Sequence, residues 1–480
     1  MRRCLLLWLL PALYVAGCQK YVPMPLTGPA VEQSLTPPDQ DQLRTRASEL
    51  RHPMLAPVPL DLRAGLTPDS AAIVAVVTNP SLRAERNRRS LASAQLLQAG
   101  LLPNPTLDFT FDPVTGGNTL GAVNAYSIGP SWEVTSLITH DAKVAAARAA
   151  SQSVQLDVAW QEWQIAQAAR KAVYDLVALR AQAAEAARVD KDMSDNAAVV
   201  RKAVDARQKT LLDQSASDAA TQKAHADYLA VKRDMSHQQL ALNQALGLPP
   251  DAGVKIADGV ALPSALDLPP DEDLLGEIDD RRLDLLALRH GYESQEQTLR
   301  ATILAQFPRI VLGIHQASDN TGVISTGLGV TVDLPVFDQN QGNIAIQKAT
   351  RQQLFDEYAG RLFEARSTVA EALDDIRSLT EQIAAAEAAV PALEQLVKTY
   401  RIAVDQHNAD VLIYYSAQND LAQKRIELLK LKQELMDNRI ALEIASGRYL
   451  PGPPATQPAT APATPATGAA TAPATREATP

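Results

Sequence analysis

Ala241-Leu242-Asn243-Gln244-Ala245-Leu246-Gly247 returns two hundred residues later as Ala441-Leu442-Glu443-Ile444-Ala445-Ser446-Gly447. Working outward from that pair, Arg201, Ala203, Val204, Asp205 and Leu212 fall on Arg401, Ala403, Val404, Asp405 and Leu412, and Gly129 falls on Gly329. No gap is needed between Gly129 and Gly247. Upstream the offset becomes 203 residues: Leu82, Ala84, Arg86, Leu96 and Pro105 match Leu285, Ala287, Arg289, Leu299 and Pro308. A duplication of this length predicts two similar halves around a pseudo-axis. The repeats cover about 66–248 and 272–448. Residues 249–271 join them, with Pro249-Pro250 and Pro269-Pro270 as breakers.

Each copy reads as helix, two strands, very long helix, turn, long helix. The first helix is expected from about Pro68 to Leu102 and its partner from Asp273 to Ala305, stopped by Pro103 and Pro105 in one copy and by Pro308 in the other. Strands are expected within about 104–135 and 307–336. There the apolar Leu107, Phe109 and Phe111 alternate with Thr106, Asp108, Thr110 and Asp112, and Tyr126, Ile128, Pro130, Trp132 and Val134 alternate with Ser127, Gly129, Ser131, Glu133 and Thr135. The second copy gives Ile310, Leu312 and Ile314, then Leu328, Val330, Val332 and Leu334 against Gly327, Gly329, Thr331 and Asp333. Gly116-Gly117-Asn118 and Ser318-Asp319-Asn320 mark the hairpin loops. Alternation alone also fits a half-buried sheet in a soluble protein. Strands of about 9–10 residues suit a tilted membrane barrel. Four strands cannot close one, since about eight is the smallest common number. The open edges must then pair with other copies of the chain.

In the second repeat Phe355, Leu362, Val369, Ile376, Ile383, Val390, Val397 and Val404 recur every seven residues, the spacing of a coiled-coil seam. Leu421, Leu428, Leu435 and Leu442 do the same after a break at His407-Asn408. A helix from Asn343 to Asp405 would be about 95 Å long. Pro391 inside it is expected to bend it.

The N-terminus reads as a targeting segment over residues 1–17, with Arg2 and Arg3, an apolar run from Leu5 to Val15, and small residues before Cys18. Ala16-Gly17-Cys18 resembles a bacterial lipobox, which makes Cys18 the expected lipidated first residue, carrying acyl chains such as palmitate. Residues 18–65 read as an extended leader and 449–480 as a disordered Pro/Ala/Thr tail. Beyond the signal no 18-residue apolar run appears, so a membrane crossing must be made by strands.

Net charge is −10, which argues against nucleic acid as a partner. The two cysteines, Cys4 and Cys18, leave no disulfide in a mature chain. The seven histidines lack metal-ligand spacing, and no nucleophile elbow, phosphate loop or dinucleotide fingerprint occurs. No catalytic residue, metal site or cofactor is expected.

Over about 66–448 the chain resembles the TolC-like outer-membrane efflux factors. The residues that carry the likeness are Leu101-Leu102-Pro103-Asn104-Pro105, Asp410-Val411-Leu412 and, most of all, Leu334-Pro335-Val336-Phe337-Asp338-Gln339-Asn340-Gln341-Gly342-Asn343, which is similar to the heavy-metal branch. The resemblance implies a mainly α fold with a β-barrel portion. Three chains would build a helical tunnel and one 12-stranded membrane barrel, and the tunnel would meet a periplasmic adaptor and an inner-membrane pump. It implies an outer-membrane exit duct for metal ions or small toxic compounds. The turns between long helices become the mechanistic region, with Asp205, Asp405, Asp410, Arg201 and Arg401 as tip or gate candidates. Asp410 matches an acidic position lining the closed tip in the family. No glycine marks either turn, and Gln208 and Gln406 stand where a gate arginine is expected. Phe109, Phe111, Trp132 and Val332 are expected to face lipid. The alternatives are a periplasmic adaptor, which carries a single hairpin, and a structural coiled-coil envelope lipoprotein.

Overall fold

The structure, a computed structural model, describes residues 20–450 except 57–59, 61–63, 118–119 and 407. Cys18 and tail residues 451–480 therefore lie outside the described residues. Residues 20–39 belong to a unit of their own, whose described residues include a short helix, α1 (Gly28–Leu35).

The second unit follows the duplicated order. Repeat one comprises α3 (Pro68–Thr78), α4 (Pro80–Ala99), β1 (Thr106–Asp112), β2 (Ala125–Glu133), α5 (Ser136–Asp205) and α6 (Leu211–Ala245), preceded by α2 (Gln40–Ser48). Repeat two comprises α7 (Asp271–Leu275), α8 (Ile278–Arg281), α9 (Leu283–Leu304), β3 (Ile310–Ser318), β4 (Ile324–Val332), α10 (Gln341–Asp405) and α11 (Val411–Ser446). At 65 residues α10 is about 98 Å long. It runs unbroken through Pro391, where the ring leaves the Glu387 carbonyl without its helical donor.

Three expectations need correction. The single helix expected over Pro68–Leu102 is two, because Asn79 precedes a proline and is held extended (φ −58°, ψ 121°). Its counterpart over Asp273–Ala305 is broken into α7, α8 and α9, with Glu277 left-handed (φ 55°) and Arg282 extended. The leader is also not wholly extended. Helix α2 forms, and Ala47, Leu55 and Leu60 are buried with Trp160, Trp163 and Leu176 of α5.

The two breaks are equivalent under the 203-residue offset, and each receives the end of its own hairpin. Asn79 donates from Nδ2 to the Ala245 carbonyl (3.0 Å) and Arg282 donates from Nη1 to the Ala445 carbonyl (3.3 Å). Gly247 and Gly447 end α6 and α11 in the left-handed region, both at φ 64°. A methyl on Gly247 would lie 2.8 Å from Asn79 Cα, and one on Gly447 would lie 2.8 Å from Arg282 Cγ. The final residue of the repeated stretch is therefore glycine for two reasons: backbone sign and close approach.

Within that stretch Leu242 and Leu442 are fully buried at matching places in two separate cores. Leu82 and Leu285 are matched in the same way. The third position has diverged. Asn243 donates to the carbonyls of Pro249, Pro250 and Ala252 and so holds the linker. Glu443 instead accepts from Arg170 and from Gln167 Nε2 (2.7 Å) on α5, joining the two repeats. The linker is pinned at its middle too, by a bridge between Leu66 and Ile256.

The strands form one antiparallel sheet in the order β1-β2-β3-β4. The heptad seam is buried at Val369, Ile376 and Ile383, partly buried at Leu362, Val390, Val397 and Val404, and exposed at Phe355.

Gly247→Ala and Gly447→Ala should each destabilise the fold by about 2 kcal/mol, the left-handed penalty plus overpacking. Gly342→Ala, with nothing within 4 Å of the added methyl, should be neutral in the same thermal-unfolding series. Equal melting temperatures for all three variants would discard the role assigned to the helix-end contact.

Candidate functional site

The far ends of the hairpins are built by the backbone rules for helix ends. Helix α5 closes with Gln208 N–H donating to Ala203 O (2.8 Å) and Arg207 N–H to Val204 O (2.9 Å), around Arg207 at φ 57°. That is a Schellman turn with arginine where glycine is usual, which explains how the turn forms without a glycine. In the second tip Asn408 N–H donates to Ala403 O (2.7 Å), the equivalent bond. The next helices are capped at equivalent places. Thr210 and Asp213 make a reciprocal capping box at the start of α6, and the hydrogen bonds from Thr210 hold the Asp213 carboxyl below its usual range. Asp410 caps α11 by accepting from Leu412 N–H (3.0 Å).

This separates the three tip carboxylates. Asp410 is an N-cap, a position where an acid stabilises a helix by about 1 kcal/mol. Asp205 and Asp405 are the last residues of α5 and α10, and both are exposed. A carboxylate at a helix C-terminus opposes the dipole, so helix stability does not account for either. The arginines also part company. Arg201 pairs with Asp218 (2.9 Å). The position equivalent to Asp218 is Gln418, and Arg401 lies instead near Tyr414, where it opposes the burial that raises the Tyr414 phenol.

Behind the tips the hairpins are tied together by residues that the sequence did not single out. Tyr414 and Tyr415 of α11 are buried with Met193, Val200 and Ala224 of hairpin one. Ser217 and Tyr415 share a hydroxyl hydrogen bond (3.1 Å), and Asn196 donates to Gln418 (3.3 Å). Arg425 holds Glu185 (3.3 Å) on α5 and Glu394 (2.6 Å) on α10. Only the position of Tyr414-Tyr415 in the first turn of α11 could have hinted at this.

Nearer the strands, one lysine serves two carboxylates where α5, α6 and α11 meet. Lys171 Nζ lies 2.6 Å from Asp437 and 3.0 Å from Asp175. Asp175 also accepts from Gln238 (3.1 Å) and Gln433 (2.8 Å). Asp437 Oδ1 is buried without a hydrogen-bond partner. Burial, and next among the raising causes the Asp175 charge, push the Asp437 carboxyl up to about 6 against the pull of Lys171.

The sheet is the other half of the site. Cross-strand pairs Phe109↔Ile128, Leu107↔Pro130, Trp132↔Leu312, Ile314↔Leu328 and Leu312↔Val330 put the apolar set on one face. Asp108, Thr110, Asp112, Ser127, Ser131, Glu133, His315 and Thr331 fall on the other, since facing residues share a side. Phe109, Phe111 and Val332 are exposed and Trp132 is partly buried, its indole donating to the Pro103 carbonyl (2.8 Å). Edges β1 and β4 have no strand partner among the described residues. No described helix is long and apolar enough to cross a membrane. No group of three or more His, Cys, Asp or Glu among the described residues could hold a metal ion.

The Asp437 shift has a definite sign. Its folded-state value lies above the ordinary one, so the ionised form is penalised in the fold at pH above about 6. The penalty is relieved as pH falls from about 6 toward 4. Thermal stability should therefore rise from pH 7.5 to pH 5, and Asp437→Asn should flatten that rise; a variant that keeps the full wild-type slope would remove Asp437 as its cause.

The family profile described as Outer membrane efflux protein matches residues 274–448. The cation efflux system protein CusC of Escherichia coli strain K12 is 27% identical over 264 residues, covering 50% of this chain and 56% of that protein. The chain thus spans about half the length of the curated relatives it matches. Among solved structures, CusC superposes with TM-score 0.66 at 18% identity, over 86% of this chain and 99% of that one. VceC of Vibrio cholerae gives 0.68 at 18% identity, over 79% and 96%, and the MtrE channel of Neisseria gonorrhoeae gives 0.65 at 18%, over 83% and 97%. The profile match is confined to the second repeat, and the chain as a whole has the fold of the TolC-like outer-membrane channels.

Proposed function

We propose that three copies of this chain form the exit duct of a tripartite efflux pump, carrying metal ions or small toxic compounds passively from periplasm to exterior. The observation that carries this reading is the sheet: four strands, one face carrying the exposed apolar set, and two edges without partners among the described residues. In hydrocarbon an open edge would leave backbone groups unbonded, so the sheet must close. Three copies supply 12 strands, within the range of membrane barrels. The polar face then lines water.

The helical hairpins extend this passage into the periplasm, and their six tips form its mouth. Asp205 and Asp405, unexplained by helix stability, give that mouth a carboxylate ring that favours cations. Around the turns Val199, Leu211, Leu212, Ile402 and Ile413 are exposed, an apolar surface suited to a periplasmic adaptor that links the duct to its inner-membrane pump. The cargo assignment leans to metal cations, because the curated relative is named a cation efflux protein and because of the stretch from Leu334 to Asn343. Cys18 would anchor each chain to the outer membrane by its acyl groups. Two tandem hairpins, each preceded by a strand pair, argue against an adaptor or a simple coiled-coil lipoprotein.

Purified full-length protein should run as heat-resistant trimers on gels and conduct ions in planar bilayers. Asp205→Asn with Asp405→Asn should lower the cation-to-anion permeability ratio several-fold, about that expected for neutralising a charged ring. A monomer without conductance would refute the duct, and an unchanged ratio would refute the tip ring. Cells growing on labelled palmitate should transfer label to the wild type and not to Cys18→Ala; label on both would exclude this anchor.

A further inference from the structure

The strand pairing assembles one row of residues that the duct reading leaves unused. Asp108 on β1 pairs with Gly129 on β2, and His315 on β3 pairs with Gly327 on β4. Gly129 in turn lies against His315, so that a Cβ there would be 3.0 Å from the histidine Cα and Cβ. The row reads carboxylate, glycine, imidazole, glycine, all on the polar face. The imidazole lies over the β4 backbone, its Cε1 and Nε2 2.9 and 3.0 Å from where a Gly327 Cβ would stand. It remains exposed.

Two facts give this row a consequence for ions. Among the residues of the four strands, His315 is the only side chain able to carry positive charge, against three carboxylates, Asp108, Asp112 and Glu133. The neighbours around the imidazole carry no charge: Ser127 and Ser131 on β2, Gly313 and Ala317 on β3, Ser325 and Gly329 on β4. Glu133, at the end of β2, is held by Arg309 (3.0 Å), just outside the strand. Asp108 is the nearest acid in the row, one glycine away.

We propose that His315 sets ion preference in the strand-lined part of the duct. Neutral, it leaves the wall acidic and selective for cations; protonated, it offsets one of the two carboxylates per chain that no described cation holds, and weakens that selectivity. Imidazole is the side chain through which a modest change of pH can alter the charge of such a wall, so pH is the variable the experiment uses. The assignment rests on the reading that the polar face lines water. A ring that merely covers Gly327 would serve as well if it were glutamine, and that difference is what the experiment uses.

The full-length chain is reconstituted in planar bilayers with a potassium chloride gradient at low ionic strength, where wall charge is least screened. From pH 8 to pH 5 the wild-type cation-to-anion permeability ratio should fall by about half, one positive charge being set against the two strand carboxylates, Asp108 and Asp112, that no described cation holds. His315→Gln should hold the high ratio at both pH values, and His315→Arg the low one. A Gln variant with the wild-type pH step overturns the assignment while leaving the duct standing. Absence of conductance in every form overturns the duct, and the assignment with it. As an independent measure, His315→Cys treated at pH 8 with a cationic thiosulfonate should show the same fall as acidification. An unreactive cysteine there would mean that this face is dry and would also overturn the proposal.

Discussion

The fold turns on the contact between a helix end and a helix break, made twice. Each long hairpin returns from its tip and ends in a left-handed glycine seated on the extended residue that starts α4 or α9. The backbone there approaches too closely for any side chain. Because α4 and α9 lead directly into the strands, this contact fixes where the hairpins stand relative to the sheet. Leu242 with Leu82, and Leu442 with Leu285, pack within the same cores and make the placement rigid in both repeats.

Duplication did not produce two identical halves, and the divergence is concentrated where the halves must do different work. Asn243 holds the linker, whereas its counterpart Glu443 crosses to Arg170 in the other repeat. Arg201 finds Asp218, whereas the equivalent position in repeat two is Gln418 and Arg401 lies near Tyr414. A buried charge such as Glu443 contributes little net stability once its desolvation is counted, but removing either partner leaves an uncompensated ion. Such a pair holds repeat two in one orientation on repeat one.

Much of this was legible in the residues. The offset of two hundred, the alternation from Leu107 to Phe111 and the seven-residue seam through Val369, Ile376 and Ile383 are local patterns, and local patterns are what periodicity reports. The helix break at Asn79 was also present in the sequence, as a residue before proline, but the helical pattern on either side obscured it. The ties behind the tips were not legible. Tyr415 with Ser217, and Arg425 with Glu185 and Glu394, join residues far apart in the chain, and no spacing rule pairs them. Asp410 could be read as a gate acid from its position, yet its carboxylate caps a helix, a role visible only from the backbone N–H it accepts.

The sequence by itself determined the long helices, the strands, their order and which strand residues are apolar, because helix and strand periods are properties of the local backbone. Tertiary structure decided the rest. It set the register that puts Asp108, Gly129, His315 and Gly327 in one row, the approach that requires Gly247 and Gly447, and the meeting of Lys171, Asp175 and Asp437 at one crossing. Each of these depends on distances between segments that only packing fixes.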